Sequence, residues 1–152
     1  NLGRSFIDSH YGAHWETAYE IWKRNKLIGI GLKQFRYECS NKIYDNNLSK
    51  LKVIRCATHP HNFYLQLLAE TGIFVFLLVF IFYLVLLKEI LFLLYEILVN
   101  KKKNLNKKYF GCLNLLIVLF PLQSNGNLFN NYMSTQLIFI LAMYIISKQL
   151  ND

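Results

Sequence analysis

The sequence predicts an all-α integral membrane protein: an outward-facing helical and loop segment, residues 1–70, followed by about three transmembrane helices. Three observations predict it. Hydrophobic residues make up 54% of the 152 positions and charged residues 17%, against roughly 25% charged in an average soluble chain. The apolar residues are concentrated after residue 71. Five of the seven basic residues in that second half lie between Lys101 and Lys108, in one short break between apolar runs. This composition excludes intrinsic disorder and argues against a soluble monomer. The chain begins with Asn1 and reads as the C-terminal part of a longer protein with earlier spans upstream.

The first half mixes polar and apolar residues. Ser9 is placed to cap a helix running to about Asn25. Trp15, Ala18, Tyr19 and Trp22 follow i, i+3, i+4, i+7 spacing, one apolar face of such a helix. Gly29-Ile30-Gly31 then breaks it, and residues 40–50 read as a polar loop. Proline suits the first position of a helix, so a second helix is expected from Pro60, capped by Thr58 or His59.

Gly72 to Leu87 is a run of sixteen residues without a charge. At 1.5 Å per residue it reaches about 24 Å, and the apolar character continues past Lys88 and Glu89 to Val99. Spans are expected at about 71–92, 109–122 and 132–147. The alternative for the two shorter runs is buried core helices. The net charge of +8 could suit nucleic acid, but the densest basic run is explained by topology. The positive-inside rule places the lysine loop in the cytoplasm and residues 1–70 and 123–131 outside. No nucleic-acid partner is expected.

The densest chemical cluster is Arg55-Cys56-Ala57-Thr58-His59-Pro60-His61-Asn62, just before the first span. On a helix from Pro60, Asn62, Gln66 and Glu70 fall at i, i+4, i+8 as one polar stripe, with His61 about 100° round from it. Polar groups near hydrocarbon are costly and usually functional. A histidine there suits general base catalysis near neutral pH. Capping and interfacial hydrogen bonding would account for the same stripe. His59-x-His61, or His10 and His14 at i, i+4, could hold part of a metal site, but no further ligands complete one; no metal is expected. Arg24, Arg36 and Arg55 lie in the outward segment, where a guanidinium can clamp phosphate oxygens or face lipid headgroups. Cys39 and Cys56 are seventeen positions apart, and an oxidising compartment would allow a disulfide across the polar loop. Cys112 falls in a span. Asn114 is the one polar residue well inside a span, a feature that would suit a transporter.

His61-Asn62, nine residues, then Gly72 resembles the His-Asn-x9-Gly-x-x-Gly pattern of the O-antigen ligase and O-antigen polymerase superfamily. Thr58 to Gly72 is similar to that family throughout. So are Ala18 to Gly31 followed by Phe35, and Phe120 to Asn131. Three positions depart from it: Val75 replaces a usual Gly, Thr or Tyr; Lys26 replaces a proline; and Tyr11 or His10 stands near a usual arginine. The first departure leaves ligase and polymerase both open.

The resemblance implies a bacterial inner-membrane glycosyltransferase with residues 1–70 in the periplasm. It would take a glycan from undecaprenyl diphosphate and give it to lipid A-core or, in a polymerase, to another lipid-linked glycan. No cofactor is implied. His61 would orient or deprotonate the acceptor hydroxyl. Arg36 and Arg55, and less so Arg24, would stabilise the leaving diphosphate. His59, Asn62, Gln66 and Glu70 would hold the histidine or bind sugar. A protein O-oligosaccharyltransferase would use the same donor. A transporter half or an export subunit is the different class.

Overall fold

The computed structural model describes residues 9–44, 54–99 and 107–149. These are all-helical: α1 (His10–Arg24), α2 (Phe35–Glu38), a 3₁₀ turn (Lys42–Tyr44), α3 (Phe63–Val99), α4 (Lys107–Val118) and α5 (Asn131–Gln149). The chain forms two compact units. One comprises Asn1–Leu78 with Pro121–Asn130, the other Val79–Phe120 with Asn131–Asp152.

In the first unit α1 starts where the sequence places it. The Ser9 side chain accepts from the Gly12 N–H at 3.1 Å, satisfying one of the free donors of the first turn. Its buried face differs from the expected one. Ala13, His14, Thr17, Ala18 and Ile21 are enclosed, while Tyr19 is 46% exposed. Small side chains allow close approach, so Ala18 and Ile21 join Phe35, Cys39, Tyr44 and Ala69 in the core. Tyr19 and Trp22 pack on each other at 5.5 Å. The second helix begins at Phe63, not Pro60. His61 has φ 56°, outside helical geometry, and Asn62 supplies the cap by accepting from the Leu65 N–H at 3.0 Å.

α3 is interrupted at Gly72, with φ 76° and ψ −173°. In an uninterrupted helix Ile73 N–H would bond the Ala69 carbonyl. Here it donates to the Lys26 carbonyl at 2.9 Å. The released Ala69 and Glu70 carbonyls accept from Ile30 and Gly31 at 3.0 and 2.9 Å. The Gly29-Ile30-Gly31 loop thus stands in for the missing turn. Gly29 and Gly72 both have positive φ, and a Cβ on either would overlap backbone, of Glu70 and of Leu27 respectively. Only glycine meets both demands.

In the second unit α4 packs closely on α5 at Gly111, where a Cβ would lie 2.7 Å from the Tyr144 Cα. Glu89 of α3 accepts from Lys148 at 2.7 Å and from Tyr144 at 3.2 Å. An apolar groove of about 950 Å³ is lined by residues including Leu93, Ile97, Phe110, Phe139 and Met143. Asn114 donates to the Phe110 carbonyl one turn back, at 3.0 Å.

Among the described residues α3 alone is long and apolar enough to cross a membrane. The second and third expected spans coincide with α4 and α5, of 12 and 19 residues, but neither meets the same standard. Of the lysines that orient the chain, Lys101–Lys103 lie outside the described residues, and Lys107 and Lys108 begin α4. The latter part of the polar loop, residues 45–50, also lies outside them.

Replacing Gly72 with alanine should destabilise the first unit by at least about 2 kcal/mol, because positive φ and backbone overlap coincide there. Thermal unfolding of the detergent-solubilised protein would register the loss. A melting temperature unchanged from wild type would show that the interlock is not needed.

Candidate active site

The predicted polar stripe exists, and it faces inward. Asn62, Gln66 and Glu70 are 4%, 1% and 1% exposed. Each Glu70 oxygen accepts a backbone N–H, from Lys33 and Phe35, both at 3.0 Å. Gln66 donates to Glu70 at 3.2 Å and to Asn127 Oδ1 at 2.8 Å, and accepts from the Leu128 N–H at 3.0 Å. Asn62 donates to the Pro121 carbonyl at 2.7 Å. The stripe is a spine tying the Gly-x-Gly loop and the 121–130 segment to α3. The sequence reading gave these side chains to the histidine or to sugar; the structure gives them internal partners. A buried polar group without such partners would cost about 1–3 kcal/mol.

At the top of the spine stands His61. Its left-handed backbone is held by the Asn125 N–H, which donates to its carbonyl at 3.1 Å. Non-glycine residues rarely adopt this conformation, and those that do cluster at functional sites. Three rings surround its imidazole: His59 at 4.2 Å, His14 stacked at 5.3 Å and Tyr11 edge-on at 5.4 Å. His61 is partly exposed, and among the described residues its ring nitrogens enter no hydrogen bond.

His59 differs. Its Nε2 meets the Asn125 carbonyl at 3.2 Å and its Nδ1 meets the Thr58 hydroxyl at 2.9 Å. A carbonyl only accepts, so Nε2 carries the hydrogen and the hydroxyl donates to Nδ1. That fixes one neutral tautomer and leaves His59 no free nitrogen for substrate. His14 is 8% exposed, with a buried Nδ1 that has no hydrogen-bond partner. All three histidines bind protons less readily than ordinary imidazole. Burial is the largest cause for each; the charge of His61 adds to it at His14 and His59, and Arg36 adds at His59.

The arginines separate in the same way. Arg55 is 5% exposed and donates to the Asn41 carbonyl at 3.0 Å. Arg24 reaches the Ile43 carbonyl at 3.4 Å and lies over the Tyr44 ring at 5.6 Å. Arg36 is exposed, close enough to His59 to repel its proton, and its guanidinium has no hydrogen bond or ion pair among the described residues. Cys39 and Cys56 form a disulfide with Cα atoms 5.3 Å apart. It joins the end of α2, which carries Arg36, to the strand of loop that carries His59 and His61. Closing a loop of this length stabilises by about 3 kcal/mol. Among the described residues no three His, Cys, Asp or Glu are arranged to hold a metal ion.

Sequence reasoning missed Tyr11, Asn125 and Asn127 as site residues and weighed His14 as half of a metal pair with His10. His14 lies at i, i+3 from Tyr11, which is the one signal that pairs them. Asn125 and Asn127 were visible only as part of an asparagine-rich segment.

Residues 3–80 match the family model described as O-antigen ligase. The chain belongs to the O-antigen ligase family. Members are membrane-bound glycosyltransferases of the O-antigen ligase type that act on lipid-linked glycans. The match includes every site residue from Tyr11 to Glu70 and leaves out the 121–130 segment that closes the site. No curated protein and no solved structure matches the chain.

A base must be neutral to accept a proton. Because burial lowers the His61 pKa below 6.5, activity should persist to pH values below 6.5 and fall as pH drops through the depressed value. A rate–pH profile of the full-length protein in membranes would check the sign. An acid limb above pH 6.5 would contradict the buried, neutral imidazole.

Proposed function

We propose that the full-length protein is an O-antigen ligase at the periplasmic face of the inner membrane. It transfers a glycan from undecaprenyl diphosphate to lipid A-core. One observation carries the reading: a partly exposed imidazole with no hydrogen bond among the described residues, held in a left-handed backbone and walled by rings, with the exposed Arg36 guanidinium near the neighbouring His59. In the transfer the acceptor oxygen bonds the anomeric carbon while the bond from that carbon to the diphosphate breaks. His61 takes the hydroxyl proton, and undecaprenyl diphosphate departs with the bonding pair. Arg36 meets the charge that develops on the diphosphate. Arg55, His59, Asn62, Gln66 and Glu70 act behind these two groups, because their polar atoms are engaged within the fold. Phe74, Leu77 and Leu78 are exposed just past Gly72 and offer an apolar face to the polyprenyl tail.

A polymerase would use the same donor and the same two groups, as would a protein O-oligosaccharyltransferase. Asn114, the residue that would suit a transporter, donates to the Phe110 carbonyl of its own helix.

Lipopolysaccharide gels from a deletion strain, and from strains carrying substituted full-length genes, test the proposal. Deletion should leave core without O-antigen while polymer accumulates on the lipid carrier. Core bearing a single repeat would instead indicate a polymerase, and an unchanged ladder would remove both. His61→Ala should reduce transfer by about 10²-fold or more; near-normal transfer would reject its role as base. Arg36→Ala should cost about tenfold or more, with Arg36→Lys recovering part of it, because lysine keeps the charge but not the fork. Equal activity in both Arg36 variants and wild type would reject the diphosphate contact.

A further inference from the structure

The loop that replaces the missing turn of α3 carries an apolar tip that the fold leaves uncovered. Leu27, Ile28 and Leu32 are 62%, 81% and 55% exposed. Single exposed apolar residues need no explanation, but adjacent ones fixed at a defined place do. This place is defined by backbone. Ile73 N–H bonds the Lys26 carbonyl, and the Leu27 carbonyl lies against Gly72 so closely that a Cβ would not fit. Leu27 and Ile28 are therefore fixed beside the residue at which the uncharged run of α3 begins. Phe74 and Leu78, within two turns of it, are 61% and 69% exposed. The apolar surface of the loop thus begins where that of α3 begins.

The residues around the tip match a lipid boundary. Lys26 and Lys33 flank it, both exposed, as cations do at headgroup level. Trp22 donates its indole N–H to the Lys26 carbonyl at 3.3 Å, and tryptophan favours the same interfacial layer. Glu70 fixes the far side of the loop through the Lys33 N–H at 3.0 Å.

We propose that the Leu27–Leu32 loop is a membrane-inserting tip, its leucine and isoleucine side chains seated in the acyl chains of the outer leaflet and its lysines at anionic headgroups. The insertion would fix the height of the His61 site above the bilayer. A lipid-linked diphosphate has its reacting bond at a set depth, so a site held at that depth needs no search along the membrane normal. The inference rests on α3 crossing the membrane and does not depend on the identity of the acceptor.

Spin labelling of the full-length protein tests it, in vesicles of phosphatidylethanolamine and phosphatidylglycerol. Cys112 is replaced by alanine and the Cys39–Cys56 disulfide is kept. Ile28→Cys and Leu32→Cys carry the label in turn, with Leu78→Cys as a control on α3 and Tyr37→Cys, on exposed α2, as a control for water. Labels at Ile28 and Leu32 should be relaxed more strongly by oxygen than by a water-soluble nickel complex, and Tyr37 should show the reverse. Nickel dominance at Ile28 and Leu32, with oxygen dominance at Leu78, would overturn the insertion and keep the span. Nickel dominance at Leu78 as well would overturn both. Immobile labels at Ile28 and Leu32 that neither agent reaches would mean that another part of the protein covers the tip, and that also overturns it.

Discussion

The first unit depends on the interruption of α3 at Gly72. A continuous helix would satisfy its own backbone and need nothing from the preceding chain. The break strands two carbonyls and one N–H, and the Gly29–Gly31 loop, with Lys26, receives all three. Glu70 then fixes the continuation of that loop with both carboxylate oxygens. The contact brings residues about forty positions apart into backbone register, and α1 and α2 are positioned on either side of it. Everything at the candidate site is hung from this joint, including the rings around His61.

The site separates anchoring from chemistry by giving similar residues different partners. His59 and His61 are two positions apart and close in space. His59 has both nitrogens bonded, while His61 has neither bonded among the described residues. Arg55 is enclosed and holds the Asn41 carbonyl; Arg36 is exposed and holds nothing described. The disulfide links the segments that carry Arg36 and His61, the two groups proposed to act on substrate. A diphosphate leaving group needs a cation whose position is set before substrate arrives, since ordering a flexible arginine at the moment of binding would cost side-chain entropy. Placing Arg36 on a short helix cross-linked to the histidine loop reduces that cost.

The sequence made the helices legible wherever their signals were local. Ser9 marked the start of α1, and the uncharged run after Gly72 marked α3. Of the face expected for α1, Ala18 is buried but Tyr19 is exposed, and close approach selected Ala13 and Thr17 in place of the aromatics. The start of α3 was misjudged because a proline signal was weighed without the positive φ of His61, which no residue pattern announces. The Asn62–Gln66–Glu70 periodicity was legible, but its direction was not. Whether such a stripe meets substrate or its own fold depends on residues 121–130, some sixty positions away. His61 could be picked out by its type and place. That its nitrogens have no hydrogen bond among the described residues is a property of the packed structure alone.

The joint also links the chemistry to the membrane. The carbonyl of Lys26 and the N–H of Ile73 meet in one hydrogen bond, with the exposed Leu27 and Ile28 on one side of it and the polar spine on the other. Gly72 lies eleven positions after His61, so the first segment of α3 sets the distance between His61 and the start of the uncharged run. At 1.5 Å per residue that segment spans about 14 Å from Phe63 to Gly72. A glycan donor whose lipid is buried and whose diphosphate lies among the headgroups would then meet the imidazole without leaving the bilayer. Burial lowers the pKa of that imidazole, which favours the neutral form that the proposed role as base requires.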